Sequence, residues 1–237
     1  MSSGTFSQVR DAVVRCLKAN ITPYIAAQPA VGKSAMAQSI ADEYNLALID
    51  CRVAQMATTD FNGLPRFDKD RATFVPFDVF PLEDTPIPEG KQGWLLFLDE
   101  LSSAPKHIQA PAYKLILDRK VGETSLHPKV KIMGAGNRVQ DNAVAFTLSS
   151  ALQSRMGCYE LELSLEEWLV WAANNQIDSR ITSFLQFRPA LLSTFDPAIS
   201  SQPYAAPRTW EFTNRLIKGR NLSFDDTFAL SGLISQG

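Results

Sequence analysis

Cysteine is scarce. Cys16, Cys51 and Cys158 are odd in number, far apart and without paired spacing. This excludes a disulfide scaffold or a cysteine-based zinc site, and fits small core residues in a reduced, cytoplasmic protein. Histidine is scarcer still: His107 and His127 stand singly, without metal-ligand spacing, and are assigned no catalytic or metal role. Long apolar runs are missing too. The longest, Trp94-Leu95-Leu96-Phe97-Leu98, is far too short to span a bilayer, and the chain does not open on a charged-then-apolar signal pattern. Nor is there an excess of one charge. A formal net of −2 gives no global attraction to nucleic acid or acidic membranes, which leaves only a local basic patch as a route to either. There is no internal repeat and no low-complexity tract.

What remains is an ordinary globular composition, 45% hydrophobic and 20% charged over 237 residues. A chain of that length buries a large core, as one domain with an appendage or as two small domains.

The most informative stretch runs from Tyr24 to Tyr44. Tyr24-Ile25-Ala26 reads as a buried strand, followed by the loop Gln28-Pro29-Ala30-Val31-Gly32-Lys33-Ser34. A helical pattern begins at once, through Ala35, Met36, Ile40, Ala41 and Tyr44. Strand, loop and helix in that order form a phosphate cradle. Backbone N–H groups and the helix N-terminus face an anion, Lys33 reaches the outer phosphates, and the Ser34 hydroxyl holds Mg²⁺. Two glycines expected of such a loop are absent: Ala27 and Ala30 stand in their places. Glycine serves there because the backbone needs positive φ or close approach to phosphate, and a Cβ hinders both. Taken alone, Gly-Lys-Ser is equally a surface turn before a helix; the residues that follow decide.

An amphipathic helix over residues 7–19 precedes the first strand, with Val9, Ala12, Val13, Cys16 and Leu17 on one stripe. Leu46–Ile49 is a second strand. Residues 53–93 carry Pro65, Pro76, Pro81, Pro86 and Pro88, which exclude a long helix; we read 58–70 as a turn region around Gly63 and the rest as an extended excursion. Trp94–Leu98 is a fully buried strand that ends in Asp99-Glu100. Two adjacent carboxylates at the carboxyl edge of a parallel sheet, downstream of a Gly-Lys-Ser loop, point to metal and water handling. Ser102 or Ser103 can cap the next helix, in which Pro111 implies a kink or a second start. Residues 119–128 read as a hairpin, and Val130–Ala135 as a strand ending in Gly136-Asn137-Arg138. A short helix at 148–152 leads to Ser154-Arg155, and Tyr159–Leu163 is the last strand. The alternation of strands and helices predicts an α/β fold with a parallel sheet covered on both faces. Beyond it the chain turns all-helical, with a capping box at Ser164 and Glu167 and a helix opening at Pro207.

In this order the chain resembles the AAA+ ATPases, and within them the MoxR-like branch. Gln28–Ser34 is similar to that family's Walker A motif, Leu95–Glu100 to Walker B, and Ala135–Arg138 to the sensor 1 region. Leu152–Arg155 falls where the branch keeps its arginine finger, and Ala206–Arg208 where it keeps sensor 2; Thr58–Pro65 resembles its stretch after the second strand. The resemblance implies a P-loop NTPase αβα sandwich over 1–163 and a small C-terminal helical lid over 164–237. It implies ATP and Mg²⁺ as ligands, bound by Gln28 through Ala35, with Ser34 and Asp99 on the metal. The expected roles are Glu100 on the attacking water, Asn137 on that water or the γ-phosphate, Arg155 from a neighbouring subunit, and Arg208 reporting the γ-phosphate to the lid. It further implies a homo-oligomeric ring, commonly a hexamer, that remodels a partner protein, often beside a von Willebrand factor A-type protein. Two other readings stand beside this one: a nucleic-acid-directed motor, and an ATP-dependent oligomeric scaffold with little hydrolysis.

Overall fold

The computed structural model describes residues 1–69, 71–141, 148–199 and 202–234. Six strands lie side by side in one sheet, and every neighbouring pair is parallel. In chain order they are β1 (Ser2–Gly4), β2 (Thr22–Ala27), β3 (Ala47–Arg52), β6 (Trp94–Asp99), β9 (Val130–Gly136) and β10 (Met156–Leu161); across the sheet the order is β1-β10-β2-β9-β6-β3. Two antiparallel hairpins stand apart, β4 (Leu64–Asp68) with β5 (Arg71–Val75) and β7 (Lys120–Val121) with β8 (Thr124–Ser125). The central strands are near-continuous apolar runs because both sheet faces are covered. Alternate residues divide between two cores. Tyr24, Leu96, Leu98 and Ile132 face α4 (Lys106–Asp118). Ile25, Leu95, Phe97 and Met133 face α1 (Phe6–Lys18) and α2 (Lys33–Glu43). A third core gathers Trp168, Leu185, Trp210 and Ile217 from the helices that follow β10. Those helices are α6 (Leu165–Asn174), α7 (Ser179–Phe187), α8 (Pro207–Ile217) and α9 (Asp226–Ile234), and two short ones, α3 (Thr58–Asn62) and α5 (Ser150–Gln153), complete the set among the described residues.

The α/β reading and the parallel sheet hold, and the 119–128 hairpin forms as β7 and β8. Four local expectations are corrected. The region 58–70 is α3 followed by β4, whose pairing with β5 reaches beyond it; residues 64–67 and 71–75 are exposed, so no buried face imposed an alternating pattern. The edge strand β1 is Ser-Ser-Gly and has no apolar residue to announce it. Helix α4 runs unbroken through Pro111, which removes only the N–H that would bond to the His107 carbonyl. The residue that caps α4 is Pro105, and neither Ser102 nor Ser103, which lie in a short 3-10 turn before it. The box at Ser164 is half-formed. Its hydroxyl accepts from Glu167 N–H at 3.3 Å, but the Glu167 carboxylate reaches across to the Thr5 hydroxyl, at 2.7 Å, and to Ser7 N–H. All three cysteines are free, and His127 serves locally, its Nδ1 accepting from Lys129 N–H while its ring lies edge-on to Trp94. Among the described residues no helix is long and apolar enough to cross a membrane.

Candidate active site

Strand β2 ends at Ala27, and the loop Gln28–Val31 turns the chain back over the sheet edge into α2. Two residues make that turn possible. Ala30 has φ +63 and Gly32 has φ +103, so the positive φ that usually selects glycine at position 30 is adopted here by an alanine. Val31 is buried among α1 and α2 residues and anchors the loop from beneath, while Pro29 is half-buried at its crest. The first intrahelical bond of α2 runs from Met36 N–H to the Gly32 carbonyl, so the amides of Lys33, Ser34 and Ala35 lie ahead of the helical ladder, where an anion is favoured.

The Lys33 ammonium donates to the carbonyls of Ala27 (3.2 Å) and Gln28 (3.0 Å) and to Asn137 Oδ1 (3.1 Å). Burial pushes its pKa down to about 8; Asp99 opposes that shift and the Arg208 charge adds to it. Beside it the Ser34 hydroxyl meets Asp99 Oδ2 at 3.4 Å, and the other Asp99 oxygen accepts from Glu100 N–H at 2.8 Å. Glu100 itself stands at φ +56, an uncommon conformation for a residue with a side chain and one concentrated at functional sites. Its charge and that of Asp141 are also felt at Lys33.

The structure therefore brings Lys33, Ser34, Asp99, Glu100 and Asn137 together, from the ends of β2, β6 and β9. That is the carboxyl edge of the sheet, next to where the chain reverses its direction of travel across it. Arg208 is exposed on the first turn of α8 and lies within electrostatic reach of Lys33. Arg155 is not brought there. It is exposed in the turn before β10, whose first residue pairs with Thr22 at the amino end of β2. A strand of that length separates it from the loop by on the order of 20 Å.

The oxygen donors fit Mg²⁺. A serine hydroxyl and one carboxylate converge, and magnesium is commonly held by one or two protein oxygens plus substrate phosphate and water.

The roles of several residues of this region escaped the sequence reading. Arg138 makes paired bonds to the buried Asp141, both at 2.6 Å, and a third to Glu160 at 3.2 Å, which pins the segment after β9. Asp50 on β3 is held above the ordinary carboxylate range by partial burial and by the Asp99 charge. Tyr24 and Ser102 lie directly behind Asn137; a tyrosine inside an otherwise apolar strand was the one visible signal. A separate surface cavity of about 570 Å³, bordered by Asp11, Arg15, Cys16 and Tyr159, shares none of these residues.

No protein-family model matches the chain, and neither does any curated protein. Solved structures do. One variant of RuvB from Thermotoga maritima superposes with a TM-score of 0.54 at 18% identity, covering 95% of this chain and 68% of that one. A second RuvB variant gives 0.52 with the same identity and coverage. At that identity the likeness shows the fold alone: a parallel six-strand sheet flanked by helices, matching a P-loop NTPase fold with C-terminal helices.

Proposed function

We propose that this chain binds ATP with Mg²⁺ and hydrolyses it, as a MoxR-like AAA+ ATPase acting in a ring. The observation that carries the reading is the convergence of Lys33, Ser34, Asp99, Glu100 and Asn137 at one sheet edge. Phosphoryl transfer asks a protein mainly for positioning and for charge neutralisation, and this set offers both.

In this reading the amides of Lys33, Ser34 and Ala35 grip the phosphates, and Lys33 exchanges its carbonyl partners for β/γ oxygens. Ser34 and Asp99 would hold Mg²⁺, which supplies further neutralisation of those oxygens. Glu100 takes a proton from the attacking water. Asn137 orients that water or the γ-phosphate. Arg155 cannot reach its own site and acts on a neighbour's, which is the reason to propose a ring, in the MoxR-like branch a hexamer. Arg208 lies on α8, and we assign it to reporting the γ-phosphate to a lid formed by residues 164–237, with 1–163 as the nucleotide domain.

For the work done we propose remodelling of a partner protein in the cytoplasm, with a von Willebrand factor A-type protein as the partner class to try first. The exposed β4–β5 hairpin and the β7–β8 hairpin are the candidate elements for meeting it. The hairpin carries exposed Phe67 and Phe74 beside Arg66 and Arg71, so single-stranded nucleic acid is the second reading. Particle size with and without ATP and Mg²⁺, followed by hydrolysis assays with DNA or with candidate proteins, tests the set. Growth to a ring-sized particle and turnover stimulated by a protein are expected; a strict monomer without turnover would overturn the reading.

A further inference from the structure

We propose that Ser102 is a positioning residue for this reaction: its buried hydroxyl fixes Asn137 from behind, with Tyr24 completing the support. The inference rests on the ATP reading above.

Ser102 is only 2% exposed, two residues beyond Glu100 in the turn that leaves β6. Its hydroxyl donates to the Asn137 backbone carbonyl at 3.1 Å. That carbonyl lies just past the last paired residue of β9, Gly136, which is opposite Ala26. It has left the sheet ladder, and a buried carbonyl needs a donor from elsewhere. Because a carbonyl only accepts, the single proton of Ser102 is committed to it. The Tyr24 hydroxyl lies close by, over the same face of Gly136 as the Ser102 hydroxyl. Burial pushes the Tyr24 phenol up to about 12, with Ser102 opposing that shift, so Tyr24 packs there as a neutral phenol. The polarity at Asn137 is fixed, from the Ser102 hydroxyl to the backbone carbonyl.

The close approach is built in. A Cβ on Gly136 would fall onto both the Ser102 Oγ and the Tyr24 hydroxyl, so glycine is required for the three elements to meet. On its other side the Asn137 amide oxygen accepts from Lys33. The residue is thus gripped through its backbone by the turn carrying Glu100 and through its side chain by the phosphate loop. A displacement of either group moves the other, which couples the water-activating carboxylate to the amide that aims at the same water.

The test measures ATP hydrolysis by Ser102→Ala, Asn137→Ala and the double variant. Ser102→Ala is expected to lower kcat about tenfold with KM unchanged within about twofold, and to add little once Asn137 is gone. Ser102→Thr, which keeps the hydroxyl, should recover most of the rate, and Tyr24→Phe should cost less than Ser102→Ala. An unchanged kcat in Ser102→Ala, a loss confined to KM, or an equal loss with and without Asn137 would overturn the assignment. A second measurement needs no turnover. The side-chain amide resonances of Asn137, identified by their disappearance in Asn137→Ala, should shift in Ser102→Ala while those of other asparagines stay. Unshifted resonances would overturn the assignment as well. A wild-type chain that hydrolyses nothing would sink the ATPase reading, and the resonances would then decide the role of Ser102 on their own.

Discussion

At the carboxyl edge of the sheet, groups from three strands and one helix meet within hydrogen-bonding distance, and a half-buried lysine is held by three acceptors. At the amino edge, a strand's length away, Arg155 stands exposed in the turn before β10. The first arrangement is complete within one chain; the second gains a chemical role, in the proposed reading, against another copy. The parallel sheet enforces the division, because every strand delivers its terminal residues to one side and its leading residues to the other. In the proposed reading, a single protomer holds the nucleotide and two are needed to hydrolyse it.

The largest effect expected at the carboxyl edge comes from Lys33→Ala. The ammonium is the one cation held by the loop itself, and its loss should abolish measurable ATP binding in calorimetry, a drop of roughly 100-fold or more given the strength of charge-assisted phosphate contacts. Retained binding within a few-fold of wild type would show that the loop does not seat the phosphates, and the contrast between the two edges would collapse.

The amino edge is tested by mixing. Arg155→Ala alone should keep ATP affinity and lose on the order of 10³-fold in turnover, the usual scale for an arginine finger. Glu100→Gln should hold ATP without turning it over. Mixed together, each inactive, these two variants place an intact Arg155 next to an intact Glu100 at some subunit boundaries, so activity should partly return. If the mixture stays as inactive as its parts while particles still form, Arg155 is a surface residue and the two edges do not cooperate.

A subtler test concerns the charge state of Lys33. Its pKa of about 8 lies below the ordinary lysine value because burial penalises the ammonium. The unfolded chain therefore binds the extra proton between about pH 8 and 10.5, and in that window the cost of burying Lys33 fades, so the nucleotide-free fold gains stability as pH rises. ATP has the opposite demand, since its phosphates favour the ammonium. Above about pH 8, binding should take up a proton, roughly three quarters of one at pH 8.5 if the bound lysine is fully charged, and affinity should weaken with further pH rise. Calorimetry in buffers of differing ionisation heat reads the uptake directly. No uptake there, or affinity that strengthens with pH, would place the lysine away from the phosphates.

The sequence made the carboxyl edge legible and much of its surroundings opaque, for physical reasons. Leu95–Leu98 is buried on both faces, so its apolar run and the abrupt Asp99-Glu100 were plain. Gly32, Lys33 and Ser34 lie in the one loop geometry that links such a strand to a helix. The β4–β5 hairpin carried no comparable mark: Phe67 is 78% and Phe74 55% exposed, and Pro65 in the strand argued against pairing. Ser102 was misread as a helix cap because serine is a common capping residue, and only the fold reveals that Asn137 had the more urgent claim on its hydroxyl. Arg138 was quoted as part of a motif; its partner Asp141 could not be guessed from a three-residue spacing.

The smallest effect is also the one that separates two positions a sequence treats alike. Ala27 and Ala30 both replace glycines expected of such a loop, yet the structure gives them opposite local demands. Ala27 closes β2, pairs with Leu161 and is fully buried, so its Cβ contributes packing in an extended conformation that any residue adopts. Ala30 sits at φ +63, where a Cβ meets the carbonyl next to it at a cost of about 1–2 kcal/mol. Glycine relieves that cost but adds unfolded-chain entropy of about 0.4–1 kcal/mol. Ala30→Gly should therefore raise stability by about 0.5 kcal/mol, and Ala27→Gly should lower it by about 1 kcal/mol through lost burial and strand entropy. Denaturant melts of the two single variants measure both signs. Destabilisation by Ala30→Gly would mean that its methyl group is packed usefully and that the left-handed turn carries little strain. Stabilisation by Ala27→Gly would mean that the strand end, and not the loop crest, is where this phosphate cradle departs from its ideal shape.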